Sequence, residues 1–132
     1  MRLGFVSLSL RKAYKTGKIK MLYHLLTESD YREYESTEIY EPTSFKDEGF
    51  IHLAYKQQLQ KIVDCFFEGV AQVYLLEIDK SAVAKDLRDE PPVGAEDDGS
   101  LYPHLYSPLS KQAVVRTIKL IADSSGTLKV NL

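Results

Sequence analysis

The sequence predicts an α+β protein. Two features carry this: one strongly amphipathic helical stretch, and several strand-length runs rich in β-branched and aromatic residues, set apart by polar turns. No internal repeat is present.

Residues 21–27 (MLYHLLT) form a first apolar run of strand length. Ser29 and Asp30 offer N-cap oxygens to a short helix reaching about Glu35, with Glu33 completing a capping box from Asp30. Residues 38–42 read as a brief strand before a polar turn. Residues 49–54 (GFIHLA) read as a second apolar strand. The clearest helix follows, because Leu59, Ile62, Val63, Phe66 and Phe67 recur on one stripe. Gly69 stands where a left-handed cap would end it. Residues 71–79 (AQVYLLEID) predict a buried strand, and a helical turn around 81–87 leads into an acidic loop over 89–100. That loop is long for a compact domain, as binding elements often are. Residues 101–109 (LYPHLYSPL) are expected to be extended, since Pro103 and Pro108 bias their predecessors away from helix. Residues 113–122 make a β-branched strand. A turn at 123–126 then predicts a hairpin with a return strand over 127–132.

Length and composition bound the function. The chain has 132 residues, 44% hydrophobic and 27% charged, enough for one core and one domain. No window approaches the roughly 20 apolar residues of a membrane helix. The net charge of −2 divides unevenly: residues 1–20 carry six basic groups and no acid, while the remainder carries 11 basic and 19 acidic groups. The expected organisation is therefore a basic extension over 1–20 and a single α+β domain over 21–132. The extension reads as a loosely packed arm, with an organelle-targeting segment or a start at Met21 as alternatives; a secretory signal fits poorly, lacking a cleavage site. Its lysines suit phosphates, but the acidic body opposes nucleic acid as a partner. Cys65 is the one cysteine. It cannot form an intrachain disulfide, which fits a reducing, cytoplasmic setting, and its place on the helical stripe predicts a packed thiol.

Three residues stand out chemically. His24, His52 and His104 are all the histidines of the chain, and each lies in an apolar, strand-like segment. They are either three unrelated half-buried side chains or the lining of one cavity. Zinc is disfavoured by spacing, with no H-x-H or H-x-x-x-H pair. G-x-S-x-G, G-x-G-x-x-G and Walker patterns are absent. Among the carboxylates Glu90 differs, because Pro91 and Pro92 stiffen the backbone after it. Tyr102 and Tyr106 bracket His104; tyrosines so placed can stack on a planar ring or donate a hydroxyl, or serve as ordinary strand residues.

Taken in order, MLYHLL, DEGFIHLAYKQQL and YPHLYSPL resemble a family catalogued as domain of unknown function 952. Its pattern reads I-Y-H/K-I, then D-G-F-I-H-x-S-T-x-x-Q, then W-E, then F-P-H-L-Y-G-P-L. The resemblance covers residues 21–121, with Gln58 in register. The chain departs from it at Ala54 and Tyr55, where the family has Ser-Thr, at Asp89 for Trp, and at Ser107 for Gly. The family is similar in fold to ADP-ribosyltransferases, which implies a split β-sheet and an NAD cleft. In those enzymes a first-strand His or Arg holds a ribose, a later aromatic or His stacks nicotinamide, and a Glu stabilises the cationic ribosyl. The resemblance thus gives His24 the first role, His52 the second and Glu90 the third. His104, Tyr106 and Tyr55 are further candidates for ligand contact. Two readings follow: a His/Tyr-lined pocket binding a nucleotide-like small molecule such as NAD or ADP-ribose, or an NAD-cleaving or ADP-ribosyl-transferring enzyme using His24, His52 and Glu90.

Overall fold

The computed structural model describes residues 20–132. Of the basic extension only Lys20 falls within them; the rest lies outside the described residues. The elements run β1 (Met21–Leu26), α1 (Glu28–Glu35), β2 (Ile39–Tyr40), α2 (Phe45–Glu48), β3 (Ile51–His52), α3 (Leu59–Phe66), β4 (Gln72–Asp79), α4 (Lys80–Val83), β5 (Leu87–Glu90), β6 (Tyr102–Leu105), β7 (Leu109–Ser110) and β8 (Val114–Ile121). Three short 3-10 turns join them, Lys56–Gln58 leading straight into α3. The result is α+β, as expected, and every strand pairing is antiparallel.

The strands divide into two three-stranded sheets, β1-β4-β8 and β3-β6-β5, with β2-β7 as a separate ribbon. β4 is the middle strand of the first sheet, which is why its sequence is apolar on both faces: Val73, Leu75, Leu76 and Ile78 are all fully buried. Each contributes about 1.5–3 kcal/mol of burial. One bridge joins the two larger sheets. Tyr23 and Ala54 exchange both backbone hydrogen bonds, each at 2.8 Å. That bridge sets β1 beside the segment carrying His52.

Four local expectations are corrected. α1 begins earlier than Asp30, because Thr27 is its cap: its hydroxyl accepts from the Asp30 amide at 3.2 Å. Asp30 already lies in the first turn, where its charge complements the helix dipole. Residues 87–90, assigned to a helical turn and loop, are strand β5, pairing Leu87 with Leu105 and Arg88 with His104. β5 is an edge strand, and a charged L-R-D-E edge carries no alternation to read. The turn at 123–126 forms, with the Asp123 carboxylate accepting from the Ser125 and Thr127 amides at 3.0 Å. The return strand does not form. Residues 127–132 cross towards α3 instead, where Gln60 donates to the Leu128 carbonyl and accepts from the Val130 amide, each at 2.9 Å. Leu128 is buried there with Val63 and Val73, so one side-chain amide meets backbone needs that a partner strand would have met.

The fourth correction concerns α3. Leu59 and Val63 are buried, but Phe66 is 54% exposed and Cys65 is exposed. The apolar stripe outruns the sheet beneath it: Cys65 and Phe66 are exposed towards a cleft, while Phe67 still packs on the cluster of Val63 and Val73.

A candidate ligand site between the two sheets

His24, His52 and His104 come from three strands, and all three line one cleft of about 420 Å³. β3 and β6 set His52 directly opposite His104, and their ring centroids stand 5.6 Å apart, edge to face. His24 reaches them across the sheet split. Its Nδ1–H donates to the His52 backbone carbonyl at 2.8 Å. That bond fixes the tautomer and leaves Nε2 as an acceptor. Burial pushes the His24 pKa down to about 4, because the charged ring cannot be hydrated there. His24 is therefore neutral near pH 7.

The other two histidines are held by carboxylates. His52 Nε2 lies 3.0 Å from both oxygens of Glu48. Glu48 ends α2, and Gly49 follows at φ 82°, a left-handed position that lets the chain turn sharply from helix into β3. His104 is 1% exposed, and its Nδ1 lies 2.8 Å from Glu90 Oε1. The Tyr106 hydroxyl donates to the same oxygen. These two hydrogen bonds, Tyr106 foremost, hold the Glu90 carboxyl below its ordinary range, and the charge they stabilise pushes the Tyr106 phenol up. Phe50 organises the rings. It stacks on His104 with centroids 4.1 Å apart and packs tilted against His52 and Tyr106.

The outer wall is the segment Pro92 to Glu96, facing Cys65, Phe66 and Phe67 of the α3 end. Its far end is tied down at Leu101 and at Asp98. Gln58 donates to the Leu101 carbonyl at 2.8 Å while accepting from the Tyr55 amide at 2.9 Å. Lys61 and the Tyr102 hydroxyl both bond Asp98, and the Lys61 ammonium holds that carboxyl far below its usual value.

The sequence candidates thus separate. His24, His52 and His104 share the cleft. Glu90 and Tyr106 do not line it; they stand behind His104 and act on it. Tyr55 lies on a neighbouring depression with Gln58 and Asp89, its hydroxyl donating to Asp89 at 2.6 Å, and burial with that carboxylate raises its pKa to about 12. Phe50, Glu48, Lys61 and Asp98 were not singled out by sequence. Glu48 was the one with a signal, standing four residues before His52 across a glycine turn. Among the described residues no group of three or more His, Cys, Asp or Glu is arranged to hold a metal ion, and no helix is long and apolar enough to cross a membrane.

The protein is thus of the α+β class, with a split antiparallel sheet that carries histidines from separate strands into one cleft. The chain belongs to the family described as protein of unknown function (DUF952), whose pattern matches residues 25–117. Among solved structures it is similar to the protein CC0527 of Caulobacter crescentus. The crystal structure of that protein is 28% identical, with a TM-score of 0.71 over 83% of this chain and 93% of that one. Its solution structure gives a TM-score of 0.67 at the same identity, over 81% and 90%. No curated protein matches the chain.

Proposed function

We propose that this chain is a small-molecule-binding protein whose histidine-lined cleft takes a nucleotide-like ligand. By analogy with ADP-ribosyltransferases, NAD and ADP-ribose are the first compounds to test. One observation carries the reading: three histidines, distant in sequence, line a single cleft whose volume falls in the range of small-molecule sites. Apolar and aromatic walls with a few convergent polar groups are what such ligands require. The ring and ribose portions of NAD find partners in His24, His52, His104 and Tyr102. Its pyrophosphate does not, because Lys61 is the one lysine or arginine in the lining among the described residues, and Asp98 already engages it.

The enzymatic alternative assigns cation stabilisation to Glu90. Its carboxylate is instead committed to His104 and Tyr106, outside the lining, which favours binding over cleavage and makes Glu90 a positioning residue for His104. An exposed single thiol suits a reducing compartment, in keeping with a cytoplasmic protein. Titration calorimetry with NAD and ADP-ribose tests the reading, alongside an NAD-hydrolysis assay on the natural protein and on Glu90→Gln. Saturable binding without turnover is expected. Turnover abolished by Glu90→Gln would establish the enzymatic alternative, and absence of any binding would remove the proposal.

A further inference from the structure

We infer that the cleft recognises the uncharged, N–H-bearing base of a nucleotide-like ligand and gains nothing from its phosphates. This rests on the small-molecule reading above and names what that site selects.

Hydrogen-bond polarity carries the inference. The His24 Nδ1–H is committed to the His52 carbonyl, and among the described residues no protein group bonds its Nε2. His52 offers Nε2 to Glu48, and His104 offers Nδ1 to Glu90. A carboxylate can only accept, so each of those nitrogens carries the hydrogen. These bonds commit one N–H of each imidazole to the protein, and in neutral His24 they leave the Nε2 lone pair for a ligand. A buried acceptor without a donor is costly, so a ligand that brings N–H groups is rewarded and one that brings only acceptors is not. Burial keeps His24 neutral across the physiological range.

Charge points the same way. Glu48 and Glu96 belong to the lining, and Lys61 is neutralised by Asp98. A phosphate entering this cleft meets carboxylates and the His24 acceptor nitrogen, and among the described residues the lining has no unpaired cation to offset its charge. A flat amino-bearing base meets Tyr102, the apolar wall at Val93 and Phe66, and the three imidazoles.

Calorimetry of the full chain with adenosine, purine riboside, AMP and ADP-ribose tests this, with histidine ring nitrogen shifts followed by NMR. Adenosine and purine riboside differ only in the exocyclic amine. The expected result is at least about tenfold tighter binding of adenosine than of purine riboside. AMP and ADP-ribose should bind no tighter than adenosine, and the His24 Nε2 resonance should move. His24→Phe, which keeps a ring and removes the acceptor, should erase the difference between adenosine and purine riboside. Equal affinity for those two nucleosides, or tighter binding on adding phosphate, overturns the inference while leaving a ligand site in place. Failure of all four compounds and of NAD to bind removes the small-molecule reading as well.

Discussion

Protonating His24 should destabilise the protein, and the size of the effect follows from its surroundings. The ring is neutral in the fold because burial drops its pKa from 6.5 to about 4, with the backbone bond to His52 only partly opposing that fall. The unfolded chain takes up the proton first as pH drops. Stability from this residue is therefore complete above about pH 6.5 and is lost as pH falls from there towards 4. Linkage gives a loss of about 2 kcal/mol between about pH 7 and about pH 5, rising to about 3 kcal/mol below the folded value. Urea unfolding of the natural protein and of His24→Asn, across that interval, measures it. The asparagine amide can take the place of Nδ1 as donor to His52 but does not titrate. Other acid-sensitive groups, Glu90 and Asp98 among them, are common to both proteins and cancel in the difference. The natural protein should lose about 2 kcal/mol more than the variant. Parallel stability curves, or a His24 ring resonance titrating near an ordinary histidine value, would refute the argument.

Further outcomes follow from other contacts. Gln58→Ala removes two hydrogen bonds that hold Tyr55 and Leu101; it should cost about 1–2 kcal/mol and speed amide exchange over residues 91–101 more than in β4. Cys65 is exposed at the cleft, so a thiol reagent should label it in the folded protein, and a bound ligand should slow that labelling. Labelling only after denaturation would contradict the exposed placement. Leu76→Ala, at a fully buried site in the central strand, should cost about 2–5 kcal/mol by chemical denaturation; a loss below 1 kcal/mol would show that the sheet can collapse around the gap.

Much of the fold was legible in residue order. The runs at 21–27 and 71–79 appear as β1 and β4 with boundaries within a residue, because strands buried on both faces are dominated by apolar residues. α3 is legible from its stripe, but Phe67 rather than Gly69 caps it; Gly69, at φ 78°, serves the turn that follows, in which the Val70 amide bonds the Phe67 carbonyl. Which faces are covered is not legible in residue order. Cys65 and Phe66 share the stripe with buried Leu59 and Val63, yet the sheet beneath them stops short, and periodicity reports which residues share a face but not what covers it. β5 and the tail failed for a related reason: an edge strand with charged residues, and a segment whose backbone is satisfied by the Gln60 side chain, carry no local pattern.

The site divides in the same way. Sequence alone determined that three histidines lie in strand-like segments, that the chain carries the motifs of its family, and that Glu90 differs from the acidic residues around it, since each is a property of neighbouring residues. Only the tertiary structure decided that the histidines meet. The Tyr23–Ala54 bridge and the β3–β6 register join positions dozens of residues apart, and no local preference encodes such pairings. It also decided that Glu90 stands behind His104 rather than in the cleft, because a side chain's partner depends on which strand lies next to its own.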